Sequence, residues 1–130
     1  MTKKNKFRPQ FIWLMFLLIA LVVFSKLFGN FFVSDDWHWL WLADNQTWTW
    51  HIFASNYAGE NLGGSYNPLL LVLFKIAWPI FGLKYIWYHV VSVVVHATNA
   101  YLVYLLARQI FSFIKIKLFD KAAWLAGVLF

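Results

Sequence analysis

Two adjacent carboxylates, Asp35 and Asp36, follow a long apolar stretch and lead directly into Trp37-His38-Trp39. Charged acids beside lipid are costly, so a pair placed there invites a chemical role. On a helix, neighbouring residues project about 100° apart. That geometry divides the pair between two jobs: one acid takes the proton of an acceptor hydroxyl, the other holds a hydroxyl, a cation or a backbone donor. The same two residues can instead cap a following helix, with Ser34 or Asp35 at its first position and the charge at the positive end of the dipole. His38 comes three residues after Asp35, and His51 lies further along. With the aspartates they form a candidate oxygen–nitrogen site for a divalent cation, but the spacing matches no strong metal motif, so no metal ligand or cofactor is assigned. Trp37, Trp39, Trp41, Trp48 and Trp50 make up five of the nine tryptophans. Such rings can stack on a sugar or grip a lipid carrier, or simply form a belt in the headgroup layer.

A second set of polar groups lies in an apolar run. Tyr85, His89, Ser92, His96 and Asn99 follow steps of 4, 3, 4 and 3, which puts them on one face of a helix. Polar groups facing lipid are expensive, so this face is expected to look into a bundle or a wet cavity. Its bland role is hydrogen bonding between helices, the reading preferred for His96 and Asn99. His89, nearer the outer surface, is the member placed to touch a substrate. Asn45-Gln46-Thr47 matches a glycosylation sequon, a match that also arises by chance.

The elements that position these residues follow from composition. The chain has 130 residues, 62% hydrophobic, 22% aromatic and 12% charged. Soluble domains are roughly half apolar and about 25% charged, and a chain this short lacks the interior to bury the excess. Disorder is excluded by the aromatics, and disulfides or thiol chemistry by the lack of cysteine. The fold class expected is all-α, with polytopic transmembrane helices and a membrane-surface external loop. The net charge of +6 is not a nucleic-acid signature once it is placed. Lys3, Lys4, Lys6 and Arg8 precede the first apolar run, and Arg108, Lys115, Lys117 and Lys121 sit between two later ones. Val33 to Tyr66 holds only acids: Asp35, Asp36, Asp44 and Glu60. This is the positive-inside pattern, with membrane lipids rather than nucleic acid as partners.

The segments are then as follows. Residues 1–10 form a cytoplasmic tail, and 11–33 a first span of roughly 34 Å, uncleaved because no small-x-small site follows it. Residues 34–67 form the external loop, closed by Gly59, Gly63, Gly64 and Asn67-Pro68. Residues 68–83 carry Lys75 and Pro79 and read as an interfacial or re-entrant helix, because a crossing there would strand the later basic cluster outside. Residues 85–107 are an uncharged second span, 108–121 a cytoplasmic loop, and 122–130 the start of a third span that stops about 14 Å in. A helix ending within hydrocarbon leaves carbonyls unpaired, so the chain is expected to be an amino-terminal fragment.

The order of these features resembles the start of a GT-C membrane glycosyltransferase, most of all the protein O-mannosyltransferase-like branch with its tetratricopeptide-containing transmembrane mannosyltransferases. The resemblance rests on FVSDDWHWL, YNPLLLVLF and YIWYHVVSVVVHATNAYLVYLLARQIF. Asp35 and Asp36 match the family's external acidic pair, and Tyr66, Pro68 and Leu69 its aromatic-Arg-Pro-Leu step. His89, His96 and Asn99 fall on its helix pattern, and Arg108 on the end of that helix. Asn67 stands where the family often has Arg, and Ser92 where it often has Asn.

The resemblance implies an inverting transferase that moves a sugar from a polyprenyl-phosphate carrier to an acceptor hydroxyl at the outer face of the plasma (inner) membrane, the amino end being cytoplasmic. Asp35 is then the base and Asp36 its companion, with Trp37, His38, Tyr66 and His89 as substrate contacts. Within this stretch Lys75, Lys84 and His89 are the outer-side candidates for the leaving phosphate, whose site is expected to lie in sequence beyond it. The fragment alone is expected to be inactive. The rival reading is a small non-catalytic accessory or carrier-translocation subunit of a glycan pathway.

Overall fold

A computed structural model of the chain describes residues 9–45, 51–54 and 66–130. The basic tail residues Lys3, Lys4, Lys6 and Arg8, the sequon's Gln46 and Thr47, Trp48, Trp50, Gly59, Glu60, Gly63 and Gly64 lie outside the described residues. Every regular element among the described residues is helical, in the order α1 (Pro9–Val23), a 3-10 turn (Ser25–Gly29), α2 (Asp35–Asn45), α3 (His51–Ala54), α4 (Pro68–Phe81), α5 (Tyr85–Phe113) and α6 (Phe119–Leu129). Among these, α5 is the one helix long and apolar enough to cross a membrane; α1 and α4 are apolar but shorter.

Three boundaries differ from the sequence reading. The first span, expected over 11–33, is not one continuous helix: α1 ends at Val23, after about 22 Å. Phe24 N–H still makes an α-helical bond to the Ala20 carbonyl at 2.9 Å, and the chain then tightens into the 3-10 turn, with Leu27 N–H on the Phe24 carbonyl at 2.9 Å. Ser25, Gly29 and Asn30 are poor helix residues, so the backbone leaves the α-helix although the apolar pattern resumes beyond them. The loop expected over 108–121 shrinks from both sides. Arginine is a good helix former, so α5 runs five residues past Arg108, and α6 already begins at Phe119. An apolar run thus ends where charge begins, but its helix does not. Lys115 and Leu118, at φ 56° and 64°, turn the chain in between. The helix over 68–83 is found as α4, with Pro68 at its first turn, where a missing N–H costs nothing. Gly82, at φ 54°, closes it by donating its N–H to the Trp78 carbonyl at 2.8 Å.

The chain divides into two compact units. One joins the described residues up to Gly29 with His89–Phe130; the other is Asn30–Tyr88. The first is built on small residues. Phe16, Ala100, Tyr104 and Ala123 form one buried cluster, and Ala20, Val93 and Ala97 another. A Cβ on Gly127 would stand 2.6 Å from the Phe16 ring and 2.9 Å from the Ala100 carbonyl oxygen. Such closeness is how apolar helices gain dispersion energy from backbone-to-side-chain contact. The Trp13 indole N–H adds a hydrogen bond to the Thr98 hydroxyl at 3.2 Å.

In the second unit, α2 packs on α4. Leu40 and Ala43 meet Phe74 and Ala77, with Phe32 and Tyr88 in the same cluster, while Leu42, Ile52 and Leu71 form a second. The Tyr88 hydroxyl donates to the Gly82 carbonyl at 2.9 Å and ties the first turn of α5 to the end of α4.

Candidate functional site

The acidic pair opens α2, and its two members are held differently. Asp36 reaches backwards: its carboxylate accepts the Val33 N–H at 3.0 Å, while its own N–H donates to the Val33 carbonyl at 3.0 Å. That reciprocal pair fixes the entry to the helix much as a capping box does. Between them, Ser34 takes φ 41°, a conformation that costs an L-residue roughly 1–2 kcal/mol and that the two Asp36 bonds help to hold. Asp35 is exposed, and its carboxylate accepts the Ser34 hydroxyl at 3.2 Å. Both acids sit in the first turn, where the helix dipole favours negative charge. The capping reading therefore belongs to Asp36. Asp36 is committed to the fold, and Asp35 keeps a carboxylate facing outward.

An aromatic wall stands beside them. The Trp37 ring lies 5.8 Å from Phe31 and 5.6 Å from Phe32, and Tyr85 lies 5.2 Å from Phe31. Phe32 is buried, but Trp37 and Trp41 are exposed. His38 is half-buried, edge-on to Trp39 at 5.9 Å and stacked with Trp41 at 6.5 Å. Spaced three apart on α2, Asp35 and His38 share a side of the helix. Asp35, Asp36, Trp37 and His38 thus share the first turn of α2. Tyr66 is engaged elsewhere in the same unit, its hydroxyl donating to the Phe53 carbonyl. His89 is half-buried and belongs to the other unit. Among the described residues no three His, Asp or Glu side chains gather to hold a metal ion, and the side chain of His51 lies outside the description.

Lys75 is placed otherwise than a surface cation. As a phosphate ligand or an interfacial cation it should be exposed, but it is 6% exposed and donates to the Ala43 carbonyl at 3.1 Å. Three residues on, the Trp78 indole N–H donates to the Asp44 carboxylate at 2.9 Å. Two donors from one side of α4 therefore close the carboxyl-terminal end of α2, where unpaired carbonyls and the negative end of the dipole attract a cation. Sequence reasoning missed both. Their signal was a lone Lys in an apolar helix with an indole three residues on, two donors on one face with no acceptor of their own.

The polar stripe of α5 lies beside the packed face of the helix rather than on it. It is not the buried face. Val93, Ala97, Ala100 and Tyr104 are buried instead, while Ser92 and Asn99 are exposed and Tyr85, His89 and His96 are half-buried. Close helix contact selects small side chains over hydrogen-bonding ones, which rotates the stripe away from α1 and α6. His96 sits at its edge, 5.1 Å from the Phe24 ring and 5.5 Å from Phe130, and lines a cavity of about 240 Å³ with Ala20, Phe24, Ala97 and Phe130. Comparison with protein-family models, with curated proteins and with solved structures returns no match to this chain.

Proposed function

We propose that the chain is part of a multi-pass membrane glycosyltransferase that moves a sugar from a polyprenyl-phosphate carrier to an acceptor hydroxyl at the outer membrane face, with Asp35 as its base. The observation that carries this reading is the division of labour in the acidic pair: Asp36 is spent on the helix entry, and Asp35 is left exposed beside Trp37 and His38. In the reaction, the Asp35 carboxylate takes the acceptor's proton as its oxygen attacks the anomeric carbon. The bond from that carbon to the carrier phosphate breaks, and the phosphate leaves with the electron pair. Trp37 offers a face for the sugar or the carrier.

The test is sugar transfer in membranes carrying the full-length protein, supplied with polyprenyl-phosphate-linked hexoses. Asp35→Asn is expected to abolish transfer while expression and carrier binding stay near wild type; unchanged turnover removes Asp35 from the base role. A second reading, a non-catalytic accessory or carrier-translocation subunit, is favoured by Lys75. Lys75, the one buried cation among the described residues of this unit, is turned to the Ala43 carbonyl, where it serves the fold rather than a leaving phosphate.

A further inference from the structure

The turn between α5 and α6 is built from residues that a turn does not favour. Ile116 N–H donates to the Phe111 carbonyl at 3.0 Å and Lys115 N–H to the Ser112 carbonyl at 3.2 Å, the two bonds that close a helix in a Schellman motif. The left-handed position of that motif usually goes to glycine, but here Lys115 holds it at φ 56°, and Leu118 follows at φ 64°. Phe113, Ile114, Ile116 and Leu118 are exposed on this turn, and Lys115, Lys117 and Lys121 are exposed among them. Asp120, the one acid there, is taken by Arg108 at 2.7 Å, and every other acid of the chain precedes α5 in sequence. The three lysines therefore form a positive patch with no carboxylate of its own, set in an apolar surface. Water suits the charges but not the apolar groups, and hydrocarbon the reverse. The headgroup layer suits both, with lysine stems along apolar surface and ammonium groups at the level of the phosphates. The length of α5 puts its end at that depth, since 29 residues make about 43 Å, the thickness of a bilayer with its headgroups.

We propose that the α5–α6 turn is a binding surface for acidic phospholipid headgroups, with Lys115, Lys117 and Lys121 as its phosphate contacts and Phe113, Ile114 and Leu118 among the first acyl carbons. Charge selects this occupant. A protein segment covering the turn would have to bring acids to three lysines and apolar groups to the residues between them. A zwitterionic headgroup carries its own cation beside the phosphate, whereas an acidic lipid leaves the phosphate charge free for an ammonium group. The proposal goes beyond the transferase reading and rests only on α5 being a span.

The chain has no cysteine, so Ser112→Cys, at an exposed position on the last turn of α5, gives a single labelling site beside the patch. The chain carrying a bimane fluorophore there is reconstituted in phosphatidylcholine vesicles. Increasing amounts of phosphatidylglycerol or phosphatidylcholine are then added, each bearing a nitroxide quencher near the headgroup end of its acyl chain. The acidic lipid is expected to quench at about one-fifth of the mole fraction that the zwitterionic lipid needs, the factor a single lysine near a membrane surface contributes. Lys115→Gln, Lys117→Gln and Lys121→Gln together bring the two lipids to the same mole fraction, whereas arginine at the same three positions keeps the preference. Equal quenching by both lipids with the lysines in place overturns the proposal, as does a preference that survives the three glutamines. Quenching by neither lipid also overturns it, because the turn is then covered by protein or lies in water.

Discussion

The two units are held together by opposite means. Around Phe16, Ala20, Ala97, Ala100 and Gly127, cohesion comes from closeness: small residues let side chain and backbone meet, and a single added carbon has nowhere to go. Around α2 and α4, cohesion comes from helix ends: Asp36 holds the entry of α2, and Lys75 and Trp78 hold its exit. The contrast teaches where polar chemistry is affordable. Helix termini present unpaired backbone groups wherever they lie, so a charged side chain there satisfies a need that already exists. Mid-helix backbone is already paired, and packing alone distinguishes good neighbours from bad.

The comparison is broken hardest at Lys75. Lys75→Ala leaves the Ala43 carbonyl buried without this donor and removes the stem packed above it, and is expected to cost about 3 kcal/mol. Hydrogen exchange in detergent should then rise throughout α2 and stay unchanged in α6. Lys75→Met restores the stem and separates packing from the lost bond. Next comes Gly127→Ala, which forces a carbon into the Phe16 ring and should cost about 2 kcal/mol by overpacking, read in the amides of α6. Combining it with Phe16→Leu recovers part of the loss, as two residues sharing one space should.

Smaller effects sharpen the contrast. Asp36→Ala should destabilise the entry to α2 by about 1 kcal/mol, whereas Asp35→Ala should change stability by less than about 0.5 kcal/mol. Thermal unfolding of the two variants side by side checks the division of the pair independently of any activity. Smallest of all is Arg108→Gln. The ion pair from Arg108 to Asp120, at 2.7 Å, joins two exposed side chains, so its loss should fall within about 0.5 kcal/mol and vanish in high salt.

Much of this was legible in the residues themselves. Composition and the 3.6-residue pattern determined that the chain is helical. The uncharged run starting at Tyr85 determined the one helix of span length among the described residues, and Asn67-Pro68 the start of α4. The acidic pair was marked as either a cap or a chemical group, because both roles call for the same residue type at the same place. Only the tertiary structure gave the cap to Asp36, whose carboxylate meets the Val33 N–H where Ser34 turns. It also decided which side of α5 is buried, since the periodicity of His89, His96 and Asn99 marks a face without saying which helix will meet it, and small residues opposite won that contact. Lys75 found its carbonyl 32 positions away along the chain. Local pattern determines which backbone groups a helix leaves unpaired; the partner that satisfies them is chosen by packing between segments far apart in sequence.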